Sequence, residues 1–232
     1  MIEFKDVTLQ YHYDESALLK GVSFTLTNGL NTLLADTQSG KSSICKLLCR
    51  EVAATSGEIF VDGMPIASIT SAHLGILYLP SAPTFFENRS VLHNVEYPLK
   101  VRKVSRAERR QRAEQIAKSL GIDYLAVKAK KLTAEQRKLV ALARGMTVER
   151  KVVLFDDFFE IDGDVDKSLA NVRSVLNLFE NATCVILTSD KRLAVGKTAV
   201  LDGGVTVYEG DALGAVKVVD GLEWLDNSLR SE

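Results

Sequence analysis

An apolar run, Leu30 to Leu34, passes directly into Ala35-Asp36-Thr37-Gln38-Ser39-Gly40-Lys41-Ser42, and an amphipathic segment carrying Ile44, Leu47 and Leu48 follows. A buried strand, a tight loop ending in Gly-Lys-Ser and a helix form one of the few local arrangements that wrap an anion. Successive backbone N–H groups and the positive helix N-terminus converge on it, the lysine reaches the outer phosphates, and the serine hydroxyl is placed for a magnesium ion. Gln38, Ser39, Gly40, Lys41, Ser42 and Ser43 are therefore the candidate phosphate cradle. Two positions depart from the usual string. Ala35 stands where the loop normally opens with glycine, and an unusual backbone there would cost about 1 kcal/mol. Gln38 stands where a further glycine is common.

A phosphate loop needs a carboxylate across from its serine. Val152-Val153-Leu154-Phe155 is a four-residue apolar run that ends in Asp156, placed to hold magnesium through water opposite Ser42, and Asp157 follows at once, in reach of an attacking water. Cys45 and Cys49 are one helical turn apart, with no further ligands for a metal, and read as small buried side chains. With Cys184 they make only three cysteines and no CxxC pair, so neither a disulfide framework nor a zinc site is expected.

The rest of the chain reads as α/β. Strands are expected at Ile2 to Leu9, Val22 to Thr27, Leu30 to Leu34, Glu58 to Val61 and Leu74 to Leu79, with Asn28-Gly29 and Asp62-Gly63 as hairpin turns. Ser105-Arg106-Ala107-Glu108 starts a helix that buries Ala113, Ile116, Ala117 and Leu120 and stops at Gly121. Its outer face carries Arg106, Arg109, Arg110, Arg112 and Lys118, either as a solvated face or as a contact for anionic headgroups. Downstream come a strand from Val152, a helix over Val165 to Leu178, and strands at Thr183 to Leu187, Thr198 to Leu201 and Val205 to Tyr208, the last pair separated by Gly203-Gly204. A parallel core, an antiparallel start and a helical insert follow from this order. The stretch from Asp211 to Glu232 has no clear assignment, though Leu222, Trp224 and Leu225 suit a docking turn. The 232 residues are 46% hydrophobic and 25% charged, which excludes disorder, and a net charge of −1 does not call for a nucleic-acid backbone. Charges interrupt Met1-Ile2-Glu3-Phe4-Lys5-Asp6 at once and no apolar run nears the ~20 residues of a membrane span, so a soluble intracellular protein is expected.

The order of these elements, from about Phe4 to about Gly210, resembles the ATP-binding subunit of ATP-binding cassette (ABC) transporters. Phe4-Lys5-Asp6-Val7 with Tyr11 is similar to the family's first strand and its adenine-stacking aromatic. Ala17-Leu18-Leu19-Lys20-Gly21-Val22-Ser23-Phe24 is similar to the strand leading to the phosphate loop. Leu132-Thr133-Ala134-Glu135-Gln136 with Arg137 to Arg144 resembles the signature helix, and Leu201-Asp202-Gly203-Gly204 the closing hairpin. The resemblance implies a P-loop NTPase of ABC ATPase type: a RecA-like core with an antiparallel β-subdomain (1–80 and 145–210), a helical insert with the signature (81–144) and a tail (211–232). It also implies ATP and Mg2+ as cofactors, and a membrane permease subunit and a second ATP-binding subunit, the same or a competent one, as partners. No nucleic acid is implied. The place of work would be the cytoplasm, at the inner face of the membrane.

Several residues depart from the family at the chemistry. Ser81 follows Gly-Ile-Leu-Tyr-Leu-Pro where a glutamine reaches magnesium and the lytic water. Asp157 stands for the catalytic glutamate, Ser189 for the switch histidine and Phe158 for the proline after the catalytic acid. Thr133 keeps the signature hydroxyl, but Glu135 replaces a glycine facing the γ-phosphate held by the partner subunit, where its charge would oppose closure by a few kcal/mol, on the order of the pair energies at an effective dielectric near 20. Thr133-Ala134-Glu135-Gln136 is also a capping box. The expectation is an ATP-binding subunit that binds Mg-ATP with weak or no hydrolysis. The alternatives are a regulatory or assembly module without transport, and an active ATPase with Asp157 as base and water-extended serines. An aromatic segment, Pro83-Thr84-Phe85-Phe86, is expected to suit a permease contact or core packing.

Overall fold

The computed structural model describes residues 1–11, 16–36 and 39–222, with only the backbone at Ser71 and Ala72. Trp224 and Leu225 lie outside the described residues. The chain forms two compact units, one of residues 1–78 with 151–232, the other of residues 79–150.

The first unit holds two sheets. In the smaller one, β1 (Ile2–Leu9) pairs antiparallel with β2 (Leu19–Leu26) and β4 (Ser56–Val61), and β5 (Met64–Pro65) closes a hairpin through Asp62-Gly63. Alternation fixes the register. Phe4 faces Phe24, their rings stacked 4.4 Å apart, and Ile2, Val7, Val22 and Leu26 are buried on the same side. The larger sheet runs in the order β10-β9-β3-β8-β7-β6. Here β3 (Leu30–Ala35), β7 (Val152–Asp156), β8 (Thr183–Thr188) and β9 (Lys197–Asp202) are parallel and almost wholly buried, as continuous apolar strands in a covered sheet must be. β6 (Ile76–Pro80) forms one edge, and β10 (Val205–Asp211) pairs antiparallel with β9 at the other, through Gly203-Gly204. One apolar cluster joins the small sheet to helix α1 (Lys41–Cys49) and to Leu33, Leu154, Val185 and Leu187 of the large sheet.

Four sequence readings need correction. Asn28-Gly29 is not a hairpin: β2 and β3 lie in different sheets, and the turn carries the chain across. Asn31 explains the mimicry, since its side-chain amide accepts from Thr27 N–H at 2.8 Å and donates to the Thr27 carbonyl at 2.8 Å. For the same reason Ala17 to Phe24 does not lead to the phosphate loop; β3 does. The strand expected over Leu74 to Leu79 is present as β6 but begins two residues later, at Ile76, after a short helical turn, α2 (Ser71–Leu74), and Gly75 at φ 58. The unassigned stretch after Asp211 contains α7 (Ala212–Asp220). It is capped by the Asp211 carboxylate accepting from Gly214 N–H at 2.8 Å, and packed through Ala215 and Val219 on Leu34 and Val200. The remaining helix of this unit, α6 (Val165–Asn177), is capped by Asp164.

The second unit is helical: α3 (Val91–Val101), α4 (Arg106–Ser119) and α5 (Ala134–Met146) surround Val91, Val95, Ala113, Ala117, Ile122, Val140 and Ala143. Ser105 caps α4 by accepting from Glu108 N–H, and Thr133 and Gln136 form a reciprocal capping box on α5.

Candidate functional site

Sequence and topology bring the phosphate loop and the acidic strand end together within the first unit. β3 and β7 flank β8, so the C-terminal ends of all three strands open on the same side of the sheet. In open α/β sheets that crevice is where ligands bind. Gly40 caps α1 at φ 90, a left-handed conformation, and a Cβ there would meet Leu19 Cδ2 at 2.6 Å, so only glycine fits. Ala35, by contrast, is an ordinary strand residue paired beside Leu201 and is absent from the positive-φ positions, so the strain foreseen for it does not arise.

Lys41 is buried at 6% exposure. Its ammonium donates to the Ala35 carbonyl at 2.8 Å and the Asp36 carbonyl at 3.0 Å, and lies 3.8 Å from the Asp157 carboxylate. Ser42 is exposed in the first turn of α1, Ser39 is buried in the loop, and Ser43 is buried with its Oγ 3.0 Å from the Tyr11 hydroxyl. Tyr11 is thus half-buried against the core and tied to α1. Gln38 lies outside the described residues.

Asp156 is 4% exposed. Its Oδ2 accepts from the Tyr78 hydroxyl at 2.8 Å, and its Oδ1 is buried with no hydrogen-bond partner among the described residues. Burial first, and then that bond, hold the Tyr78 phenol well above its usual range, so it stays a donor. A buried carboxylate oxygen left open is costly unless something polar meets it. The residues here therefore fit a magnesium ion held through water by Asp156 and Ser42, a charge that would screen phosphate oxygens.

Asp157 adopts φ 43, rare for a residue with a side chain, and donates its N–H to the Leu187 carbonyl at 2.9 Å. Burial raises its carboxyl above the usual value; Lys41 opposes this, the Asp156 charge adds to it, and the Ser189 N–H bonded to the carboxylate opposes it again. The unit therefore places Lys41, Asp156, Asp157 and Ser189 around one strand-end crevice. Phe158 is buried against Phe155 and Phe159, serving packing. Burial pushes the Cys45 thiol up, and the Cys49 thiol to about 11, so both are inert small residues.

Ser81, Thr133 and Glu135 belong to the second unit. Ser81 is exposed. Thr133 donates its hydroxyl to the Glu135 carboxylate at 2.8 Å; the residue's own backbone N–H first, and then this bond, lower the Glu135 pKa, so it stays ionised at the start of α5. Phe85 lies under two guanidiniums, Arg137 at 5.2 Å and Arg144 at 4.7 Å, while Phe86 is exposed and edges against Tyr97. Two contributors escaped the sequence reading. Tyr78 was visible only as one aromatic in an apolar strand. Asn94, fully buried, accepts from Phe86 N–H at 2.8 Å and donates to the Phe86 and Ser90 carbonyls, fixing the aromatic segment; a lone asparagine among apolar helix residues was its only signal.

Residues 19–160 match the family model described as ABC transporter. Over 143 residues the chain is 32% identical to the molybdate/tungstate import ATP-binding protein WtpC of Thermococcus kodakarensis, covering 61% of this chain and 43% of that one. Over 199 residues it is 28% identical to the sn-glycerol-3-phosphate import ATP-binding protein UgpC 1 of Rhizobium johnstonii, covering 83% and 54%. The corresponding UgpC 2 of Agrobacterium fabrum is 30% identical over 182 residues, covering 77% and 49%. The chain thus spans about half the length of the curated relatives it matches. Among solved structures, it is similar to the dimeric, post-hydrolysis ATP-binding cassette MJ0796 bound to ADP and Pi, with a TM-score of 0.76 at 22% identity, covering 91% of this chain and 99% of that one. At that identity the likeness speaks for the fold.

Proposed function

The chain belongs to the ABC transporter family, and from that premise we propose that it is the ATP-binding subunit of a membrane transporter, binding Mg-ATP but hydrolysing it weakly or not at all by itself. The observation that carries the reading is a division within one crevice. The groups that would hold phosphate and magnesium are in place: the glycine-only cap at Gly40, buried Lys41, exposed Ser42 and the open oxygen of Asp156. The groups that would position water are short or missing: Asp157 spends its carboxylate on Lys41 and the Ser189 N–H, and Ser189 offers no imidazole.

Lys41 and the α1 N-terminus would bind the phosphates, Tyr11 would stack on the base, and Asp156 would orient the metal through water. Phosphoryl transfer depends on positioning and electrostatics, so a carboxylate one methylene short of its target loses on the order of 100-fold in rate. In the second unit, Thr133 and an ionised Glu135 would face a γ-phosphate across a dimer, where repulsion by Glu135 would disfavour a tight homodimer and favour pairing with a different, competent ATP-binding subunit. A permease subunit is the proposed membrane partner, and the inner face of the membrane the proposed place of work. Among the described residues no helix is long and apolar enough to cross a membrane. The import relatives support uptake as the direction.

One observation favours an active ATPase instead: the raised carboxyl of Asp157 is a base brought toward the working range. Calorimetry with Mg-ATP, run beside phosphate release, separates the two. The proposal expects binding in the micromolar to low millimolar range, weakened in Lys41→Ala by about 1.5–3 kcal/mol, the scale of a charge-assisted hydrogen bond. No binding by the wild type at millimolar ATP would refute it.

A further inference from the structure

Charge is divided very unevenly between the two units. Residues 79–150 carry 16 Lys and Arg against seven Asp and Glu, a formal +9, while the remainder carries 13 against 23, a formal −10. The near-neutral total hides this. The basic face of α4 is not where the excess lies. Arg109 pairs with Glu96, Arg110 with Glu114 and Arg112 with Glu108, which neutralises most of that helix.

Part of the excess lies at Lys128, Lys130 and Lys131, and part on the turn from α3 into α4. Lys100, Arg102, Lys103 and Arg106 are all exposed there, and in their midst Val101 is 63% exposed, among the most exposed large apolar residues described. Folding accounts for the backbone of this turn through the Ser105 cap, but not for all of its charge. Arg106 is the first residue of α4, at the positive end of the helix dipole, where a cation is unfavourable. Lys103 sits at φ 61, where a side chain is strained. Arg102 adds like charge to Arg150, which burial first, and then Arg102 and Arg144, hold below the usual arginine range. Lys100, in the last turn of α3, and Arg102, at its C-cap, suit that helix end.

We propose that residues 100–106 form a direct contact for an anionic lipid bilayer, the four cations meeting headgroup phosphates and Val101 entering the interface. The chemistry favours lipid over nucleic acid. A short basic tip with an exposed aliphatic residue is the composition of an interfacial contact, whereas single-stranded nucleic acid asks for aromatic stacking surfaces, and Lys100 to Arg106 contains no aromatic ring. The assignment builds on the reading that the chain works at a membrane, but it is testable without a permease.

Flotation of the full chain with phosphatidylcholine vesicles, with and without phosphatidylglycerol, tests it. The wild type binds only the anionic vesicles, and binding falls steeply with salt. Each cation near such a surface is worth about fivefold in partitioning, so Lys103→Glu with Arg106→Glu lowers binding by at least about 25-fold. Arg110→Glu with Arg112→Glu, the same change in formal charge on the paired face, lowers it by less than about fivefold. Val101→Asp weakens binding and Val101→Leu strengthens it. Thermal unfolding shows that each variant is folded, and Mg-ATP calorimetry on the same proteins reports on nucleotide binding separately, so either proposal can fail alone. No preference of the wild type for anionic vesicles overturns the contact. So does equal loss in the paired-face variant, and so does tip-dependent binding to a homopolymeric RNA with none to vesicles.

Discussion

Replacing Tyr78 by Phe removes a single hydroxyl, and its cost follows from what that hydroxyl holds. Asp156 is 4% exposed; its Oδ2 has the Tyr78 donor at 2.8 Å, and its Oδ1 has no hydrogen-bond partner among the described residues. A hydrogen bond to a charged group is worth about 1.5–3 kcal/mol, and a buried carboxylate stripped of its donor also keeps its desolvation penalty. Tyr78→Phe should therefore destabilise the nucleotide-free protein by about 2–3 kcal/mol, a fall in Tm of roughly 4–12 °C for a chain of this size. Saturating Mg-ATP should narrow the gap, because a metal held through water gives Asp156 a second polar neighbour. Tyr124→Phe is the internal control: the Tyr124 hydroxyl is buried with no partner among the described residues, so its removal should be neutral or slightly stabilising. Scanning calorimetry of the three proteins with and without Mg-ATP reads all of this. If Tyr78→Phe and Tyr124→Phe shift Tm alike, the bond to Asp156 does not carry the stability assigned to it.

Two further outcomes are expected. The Asp157 carboxyl is raised by burial first, so its native state holds protons more tightly than the unfolded chain; its favourable contribution is complete below the unfolded value of 3.8 and is lost as pH rises through the native one. Asp157→Asn should therefore melt above the wild type at neutral pH, with the difference shrinking as the solution is acidified toward pH 4, as thermal melts across that range will read. Asn94→Ala removes three hydrogen bonds from a fully buried amide and leaves the Phe86 backbone without them, so chemical denaturation should register a loss of about 2–4 kcal/mol, with faster hydrogen exchange over the Pro83 to Phe86 segment.

Much of the architecture was legible because local pattern and burial agree. β1 spans Ile2 to Leu9 as its alternation requires, and the apolar runs of β3, β7 and β8 are the covered parallel strands they resemble. The failures have local causes. Asn28-Gly29 carries the chemistry of a hairpin, but the Asn31 amide supplies the turn's hydrogen bonds, and turn chemistry cannot say which sheet the next strand enters. α7 was hidden because Gly214 and the valines at 216, 218 and 219 all lower helix propensity; burial of Ala215 and Val219 overrides that, and the lack of a Cβ at Gly214 leaves room for the Tyr208 hydroxyl. Strand ends at the site were readable from Asp156 and Lys41, but the partner of Asp156 was not, since Tyr78 lies 78 residues away in sequence. The uneven charge of the units required knowing where the chain divides. Of the two readings of the basic face of α4, the solvated one suits the structure, since Glu108 and Glu114, one turn from Arg112 and Arg110, pair with them.

Turnover by the purified chain tests the central claim most directly. Steady-state phosphate release at saturating Mg-ATP, with binding established by calorimetry on the same sample, should stay below roughly one per minute, far under the 1–100 s⁻¹ common in phosphoryl transfer. Asp157→Glu with Ser189→His should raise the rate if only the catalytic side is deficient, and Glu135→Gly should be needed as well if the charge at the start of α5 also opposes dimer closure. A contaminant-free wild type that turns over at several per second and loses this on Asp157→Asn would contradict the account, and would assign Asp157 the role of a working base.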